Sequence, residues 1–233
     1  VSGEHPVAVV AVLAIRQTCP LVIAAMGGIL SERSGVVNIA LEGLMLAGAF
    51  VGVWVGSAFG GVTGLAAALA AGASLGAVHL TLTQRFRVNQ IVSGVALNLL
   101  ALHASTFLLR TLFNQADPPR DAKLLHAIPV IWFVAAAVVL PPALHWALHN
   151  TVVGLRLRAS GESALSTRMA GVSPGVSRAV GVVLSGLLAS GAGACLSMSL
   201  VGRFTDDMVS GRGFIALAAV VCGRWTPLGA AAT

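Results

Sequence analysis

An amide and a carboxylate four residues apart, Asn38 and Glu42, stand inside SERSGVVNIALEGLMLAGAF, a stretch that otherwise has the composition of a segment bound for hydrocarbon. On a helix that spacing puts both side chains on one face, which Gly35, Met45, Ala49 and Gly52 continue. An ionised acid at mid-bilayer costs on the order of 3 kcal/mol even on permissive insertion scales, so the face is expected to look into a helix bundle or onto water. Two roles are open. Glu42 pairs with Arg33 or Arg85 near a helix end and fixes it, or Asn38 and Glu42 line a solute path or its gate. Asn98 poses a similar choice: with Gly94, Ala101 and Ser105 it makes a small polar face that either bonds a neighbouring helix or lines a cavity.

No other set of residues points to catalysis, a metal or a cofactor. His79, His103, His126, His145 and His149 do not cluster at ligand spacing. Cys19, Cys195 and Cys222 are odd in number, lie in or beside apolar stretches and form no CxxC, so they read as small hydrophobes. Ser190 in LLASGAG is a serine within an apolar run, but a serine peptidase needs a general base, and no histidine follows His149 and no glycine stands at Leu188. No G-x-x-x-x-G-K-[ST] occurs, so nucleotide hydrolysis would have to come from another polypeptide. Asn89 precedes an apolar run and is placed as a helix N-cap.

The elements that must position these groups are membrane spans. Only 9% of the 233 residues are charged and 57% are hydrophobic, whereas soluble domains carry roughly 25% charge. Apolar runs extend from Val7 to Leu30, Val36 to Phe59, Val62 to Thr83, Ile91 to Phe113, Ile128 to Leu148, Val176 to Val201, and from Phe214 onward. The expected fold is therefore an all-α polytopic transmembrane bundle of about seven hydrophobic segments. Arg16, Gln17 and Pro20 interrupt the first run, which suggests an interfacial helix followed by a shorter span.

The net charge of +6 does not imply nucleic acid, because the basic residues sit in short connections rather than in one stripe with aromatics. Arg85 and Arg87 stand without an acid, and Arg156, Arg158, Arg168 and Arg178 face Glu162 alone, so these two connections are expected on the cytoplasmic side. NQADPPRDAK and GRFTDDMVSGR, balanced in sign, are expected outside, and simple alternation satisfies all four. VSGEHPVAVV has neither a basic leader nor a cleavage site, so no signal peptide is expected and the start at Val1 reads as trimmed.

Small residues recur every four positions at Gly48, Gly52, Gly56, Gly60 and Gly64, and again at Ser177, Gly181, Ser185, Ala189, Gly193 and Ser197. In lipid such stripes let helices approach closely; an interface that slides during transport would use the same residues. In the long basic connection, Leu155, Leu157, Leu165 and Met169 are apolar points between breaks at Gly161, Gly171 and Pro174. A short amphipathic helix there would either lie on anionic lipid or dock into a groove on a soluble partner, which its length and breaks favour.

Four segments in order, GGILSERSGVVNIALEGLMLAGAF, VNQIVSGVALNLLALHASTFLLR, GLRLRASGESALSTRMAGVS and GRGFIALAAVVCGRWTPLGA, resemble the permease subunits of ABC importers for nucleosides and simple sugars, within the wider group of branched-chain amino-acid and ribose-type permeases. The resemblance implies a non-catalytic subunit without cofactors in a bacterial-type cytoplasmic membrane, carrying nucleosides or related simple sugars. The partners it implies are a second permease subunit, a cytoplasmic ABC ATPase subunit, an extracytoplasmic substrate-binding protein and membrane lipid. Residues 154–172 would be the loop that meets the ATPase, with Leu157, Arg158, Gly161, Glu162, Arg168 and Gly171 as its candidate coupling residues. The family's Asn-Pro after the glutamate is replaced by Ser163 and Ala164, and its alanine-rich stretch by Leu165, Ser166 and Thr167, which points to an altered docking surface. Such permeases continue past GRWTPLGA with more membrane helix, so 1–233 is expected to be one permease domain lacking its C-terminal end. The alternatives are a branched-chain amino-acid or ribose-type permease of the same group, and an ion-coupled secondary transporter in which Glu42 binds the ion.

Overall fold

A computed structural model describes residues 6–113 and 128–233. The balanced segment at 114–123 and His126, like residues 1–5, lie outside the described residues.

Helix is the regular structure of the described residues: α1 is Pro6–Arg33, α2 Leu41–Phe59, α3 Gly61–Gln84, α4 Gln90–Phe113 and α5 Val130–Asn150. Two short helices follow, α6 Val152–Glu162 and α7 Ala164–Met169, then α8 Pro174–Ala194, which runs on into a π-helical stretch, Cys195–Val201. The described chain closes with α9 Arg212–Cys222 and α10 Pro227–Ala232. Among the described residues, six helices are long and apolar enough to cross a membrane, the first over Val12–Arg33 and the last over Pro174–Val201. The segment expected from Phe214 is the 11-residue α9, about 16 Å long and so half a bilayer's depth.

The expected two-part first segment is instead one helix through Pro20. Thr18 Oγ1 donates to Ala14 O at 2.8 Å and Cys19 Sγ to Ile15 O at 3.0 Å, just before the position where proline removes a ladder donor. The division survives as a change in burial. Val10, Val12, Leu13 and Ile15 are exposed, whereas Cys19, Ile23, Met26 and Ile29 are buried.

The centre of the bundle is α8, packed against α1, α2 and α3. The small residues make this possible. A Cβ on Gly48 would strike the backbone of Ser190, one on Gly193 the Met45 carbonyl, and one on Gly76 would come within 2.9 Å of the Val182 carbonyl. A Cβ on Gly52 would lie 2.9 Å from Met198 Sδ, and one on Gly64 2.7 Å from Gly56 Cα. Apart from Gly60, which caps the turn between α2 and α3 and has open space at its Cβ position, the stripes lie at helix contacts whose backbones approach closely. On the outside, Leu99, Leu100 and Phe107 of α4 and Ile131, Trp132 and Val138 of α5 are exposed, the surface expected of a protein solvated by acyl chains.

The basic connections gather at one end. Gln84 at the end of α3 and Arg87 after it line one hollow with Arg168, Ser173 and Arg178, while Arg33 lines another with Arg158, Glu162 and Arg224. The arginine-rich segments assigned to the cytoplasm therefore share a face. GRFTDDMVSGR departs from a simple external loop: it folds back along α2, with Phe204, Met208 and Val209 buried. Phe204 meets the Phe50 ring edge-on at 5.3 Å, and Gly211 reaches Glu42. That register covers roughly 12 Å of α2.

Candidate functional site

Two interruptions of helix meet where Glu42 stands. The first is residues 34–40, an irregular link between α1 and α2. Asn38 is therefore not helical, and the expectation that Asn38 and Glu42 share a helix face is overturned. Hydropathy reads Val36, Val37 and Ile39 as span, but Gly35 takes φ +89° and ends α1, a conformation glycine adopts without a Cβ penalty. Gly35 N–H donates to Glu32 O at 3.0 Å and Val36 N–H to Ser31 O at 3.2 Å, closing the helix end.

Irregular backbone inside a bundle needs its polar groups satisfied by protein, and here side chains do it. Ser31 Oγ donates to Val36 O at 2.7 Å, and Ser160 Oγ to Ser34 O at 3.2 Å. Gln90 accepts from Val37 N–H at 2.8 Å and donates to Gly35 O at 3.4 Å. Asn98 spans the start of α2: its Nδ2 donates to Ile39 O at 3.0 Å and its Oδ1 accepts from Gly43 N–H at 2.8 Å. Asn38, fully buried, donates through Nδ2 to Ser185 Oγ on α8 at 2.9 Å, and its Oδ1 is buried with no donor among the described residues.

The second interruption is the reversal before α9. Glu42 Oε1 accepts from Gly211 N–H and Oε2 from Gly213 N–H, each at 2.7 Å. A helix start leaves such donors without intrahelical partners and carries partial positive charge, so a carboxylate fits it in both hydrogen bonding and sign. The sequence allows this approach because Gly211 sits at φ +83° and because a Cβ on Gly213 would lie 2.6 Å from Glu42 Cα. Glu42 therefore pairs with neither Arg33 nor Arg85. Arg33 Nε donates to Trp225 O at 2.8 Å, and Trp225 Nε1 donates to Glu32.

The basic connection touches the same assembly. Gly161, at the end of α6, lies on the Arg33 carbonyl, and its Cβ position is 3.1 Å from Gly35 N. Leu157 is buried beneath α6, so of the four apolar points only Leu155, Leu165 and Met169 are exposed. Glu162, Arg168 and Gly171 are exposed, and Arg158 lines a hollow with Glu32, Arg33, Gly161 and Glu162. Ser163 caps α7, accepting from Ser166 N–H at 3.2 Å. Asn89 caps α4, its Oδ1 accepting from Ile91 N–H at 2.9 Å.

Asn38, Glu42 and Asn98 thus converge on one joint, and each bonds to protein. Gln90, Ser31, Ser160 and the Gly211/Gly213 pair were not singled out from the sequence. Only SGRGF, two glycines flanking Arg212 just ahead of the apolar run from Phe214, carried a signal for the last of these.

A family profile described as "Branched-chain amino acid transport system / permease component" matches residues 10–233. The chain is 36% identical to the guanosine ABC transporter permease protein NupQ of Bacillus subtilis (strain 168), over 91% of this chain and 74% of that protein. It is 35% identical to the nucleoside ABC transporter permease protein NupC of Lactococcus lactis subsp. cremoris (strain MG1363), over 91% of this chain and 74% of that one. To the putative glucose ABC transporter permease protein TsgC13 of Haloferax volcanii it is 33% identical, with 89% and 68% covered. No solved structure matches the chain.

Proposed function

The chain belongs to the family of branched-chain amino acid transport system permease components, and from that premise we propose that it forms part of the translocation path of an ATP-driven nucleoside importer. The names of its relatives in Bacillus and Lactococcus support the substrate class. Residues 1–233 belong to one non-catalytic permease domain in the cytoplasmic membrane. It works with a second permease subunit, a cytoplasmic ABC ATPase and an extracytoplasmic binding protein.

The observation that carries the mechanism is the seat of Gly161 on the Arg33 carbonyl beside Gly35. Closure of the ATPase pair displaces α6 and α7. Because Gly161 rides on the end of α1, that displacement is delivered to the 34–40 link, where no helical ladder resists it. The link continues into Glu42, which holds α9 by two hydrogen bonds. Exchanging those bonds for water or for another partner would let α9 and the 202–211 reversal move against α2, opening one side of the path while the other closes. Glu42 is in this reading a gate residue, and Asn98 and Asn38 keep the link in register. The exposed Leu165 and Met169 on α7 give the ATPase an apolar hold.

The test is uptake of labelled guanosine into vesicles holding this chain with a second permease, an ATPase and a binding protein of the same importer type. ATP-dependent uptake that stops with a non-hydrolysable nucleotide is expected. Uptake sustained by an ion gradient with no ATPase present would overturn the reading, and uptake of glucose in place of guanosine would move the substrate to that of the Haloferax relative.

A further inference from the structure

At the basic end, the α3–α4 turn, α7 and the start of α8 line an open hollow of about 680 Å³. Its lining carries three guanidinium groups, Arg87, Arg168 and Arg178, and two amides, Gln84 and Gln90, with no acid. Arg178 Nε and Gln84 Nε2 are buried atoms without a hydrogen-bond partner among the described residues. Buried donors left so cost stability, more when charged, and three like charges around one hollow add repulsion that a counter-charge would remove. Ser173, Pro174 and Gly175, the first residues of α8, open on the same space, so the partial positive charge of a helix start adds to that of the arginines.

On α7, Ala164 and Arg168, four apart, line the hollow, and the exposed Leu165 and Met169, also four apart, are each the next residue round the helix. Gln90 belongs to both the cavity and the 34–40 link, which it grips at Val37 N–H and Gly35 O. The Arg178 guanidinium reaches over Gly35, its Nη2 3.6 Å from the Cβ position there.

The geometry points to a binding site for a phosphate-bearing anion, held by Arg87, Arg168 and Arg178, that ties α7 to the 34–40 link. A phosphate group fits better than a lone carboxylate because its oxygens accept several charge-assisted bonds at once and guanidinium forks engage them in pairs. Two sources share that chemistry: a soluble phosphate ester, or the headgroup of an anionic phospholipid reaching a basic pocket between membrane helices. The site does not depend on which solute the chain carries. Occupied, it would stiffen the joint between the coupling helices and the link, so its filling regulates transport rather than feeding it.

Thermal unfolding of the full chain in phosphatidylcholine nanodiscs tests this, with inorganic phosphate added or with phosphatidylglycerol mixed into the bilayer. The comparison is between the unaltered chain, the double variant Arg168→Gln/Arg178→Gln, and Arg156→Gln, an exposed position outside the cavity. The unaltered chain and Arg156→Gln should be stabilised by phosphate if the source is soluble and by phosphatidylglycerol if it is lipid. In the double variant the concentration giving half the effect should rise about tenfold or more. Should the double variant fail to fold, Arg87→Gln/Arg168→Gln, at two exposed positions, carries the same test. Neither additive stabilising the unaltered chain, or both variants responding alike, overturns the proposal.

Discussion

The Glu42 carboxyl group sits between two backbone N–H groups, each 2.7 Å from one of its oxygens. Glu42→Gln keeps the shape but leaves one oxygen to serve two donors, and its NH2 meets a second N–H. A loss of about 1.5–3 kcal/mol is expected, the range for hydrogen bonds to charged groups, read as a lower unfolding midpoint in detergent. The gate assignment adds a second expectation, a fall in ATP-driven uptake larger than the lost folded fraction explains. An unchanged rate per folded complex would leave Glu42 a structural clasp. Asn98→Leu removes both bonds to the start of α2 and should cost about 1–3 kcal/mol for each backbone group left unpaired, measured by chemical unfolding. The polar types at these positions were legible because an acid and two amides are costly in hydrocarbon. Their partners were not. Sequence offered Arg33 or Arg85 to Glu42, whereas the acceptor met a helix start 169 residues away.

At the scale of elements, the glycines make the firmest statements. A Cβ on Gly213 would lie 2.5 Å from Glu42 N, so Gly213→Ala should displace α9 from Glu42 and lower both stability and uptake. Gly161→Ala would strike the Arg33 carbonyl and should also destabilise, which makes it a poor probe of coupling alone. The cleaner probes are exposed. Leu165→Ser with Met169→Ser should leave the unfolding midpoint within about 0.5 kcal/mol of the unaltered chain while weakening co-purification with the ATPase. Retained association would place the docking surface elsewhere. The spans from Gly61 to Phe113 were plain in the sequence because nothing in them competes with helix. The link at 34–40 was hidden because valine and isoleucine satisfy hydropathy equally well extended or helical, and only the Gly35 turn and its side-chain partners decide between the two.

For the whole molecule, the basic connections lie together at one end and large apolar side chains face outward. Accessibility labelling of single cysteines at Arg87 and Arg168 in intact cells and in inverted vesicles should give reaction only when the cytoplasmic side is open; reaction from outside would reverse the orientation. Composition and charge placement by themselves determined an all-helical, multi-pass membrane protein and the face on which its arginines lie, because the bilayer acts as a solvent on every residue separately and its demands are additive along the chain. The small-residue stripes likewise announced close helix contact. What only the tertiary structure decided is which irregular segments replace helix and which groups answer their free N–H and C=O bonds. Those choices depend on distances between positions far apart in sequence: Glu42 with Gly211 and Gly213, Asn98 with Ile39 and Gly43, Gly161 with Arg33. No periodicity encodes such pairs, since each is fixed by how the surrounding helices cross.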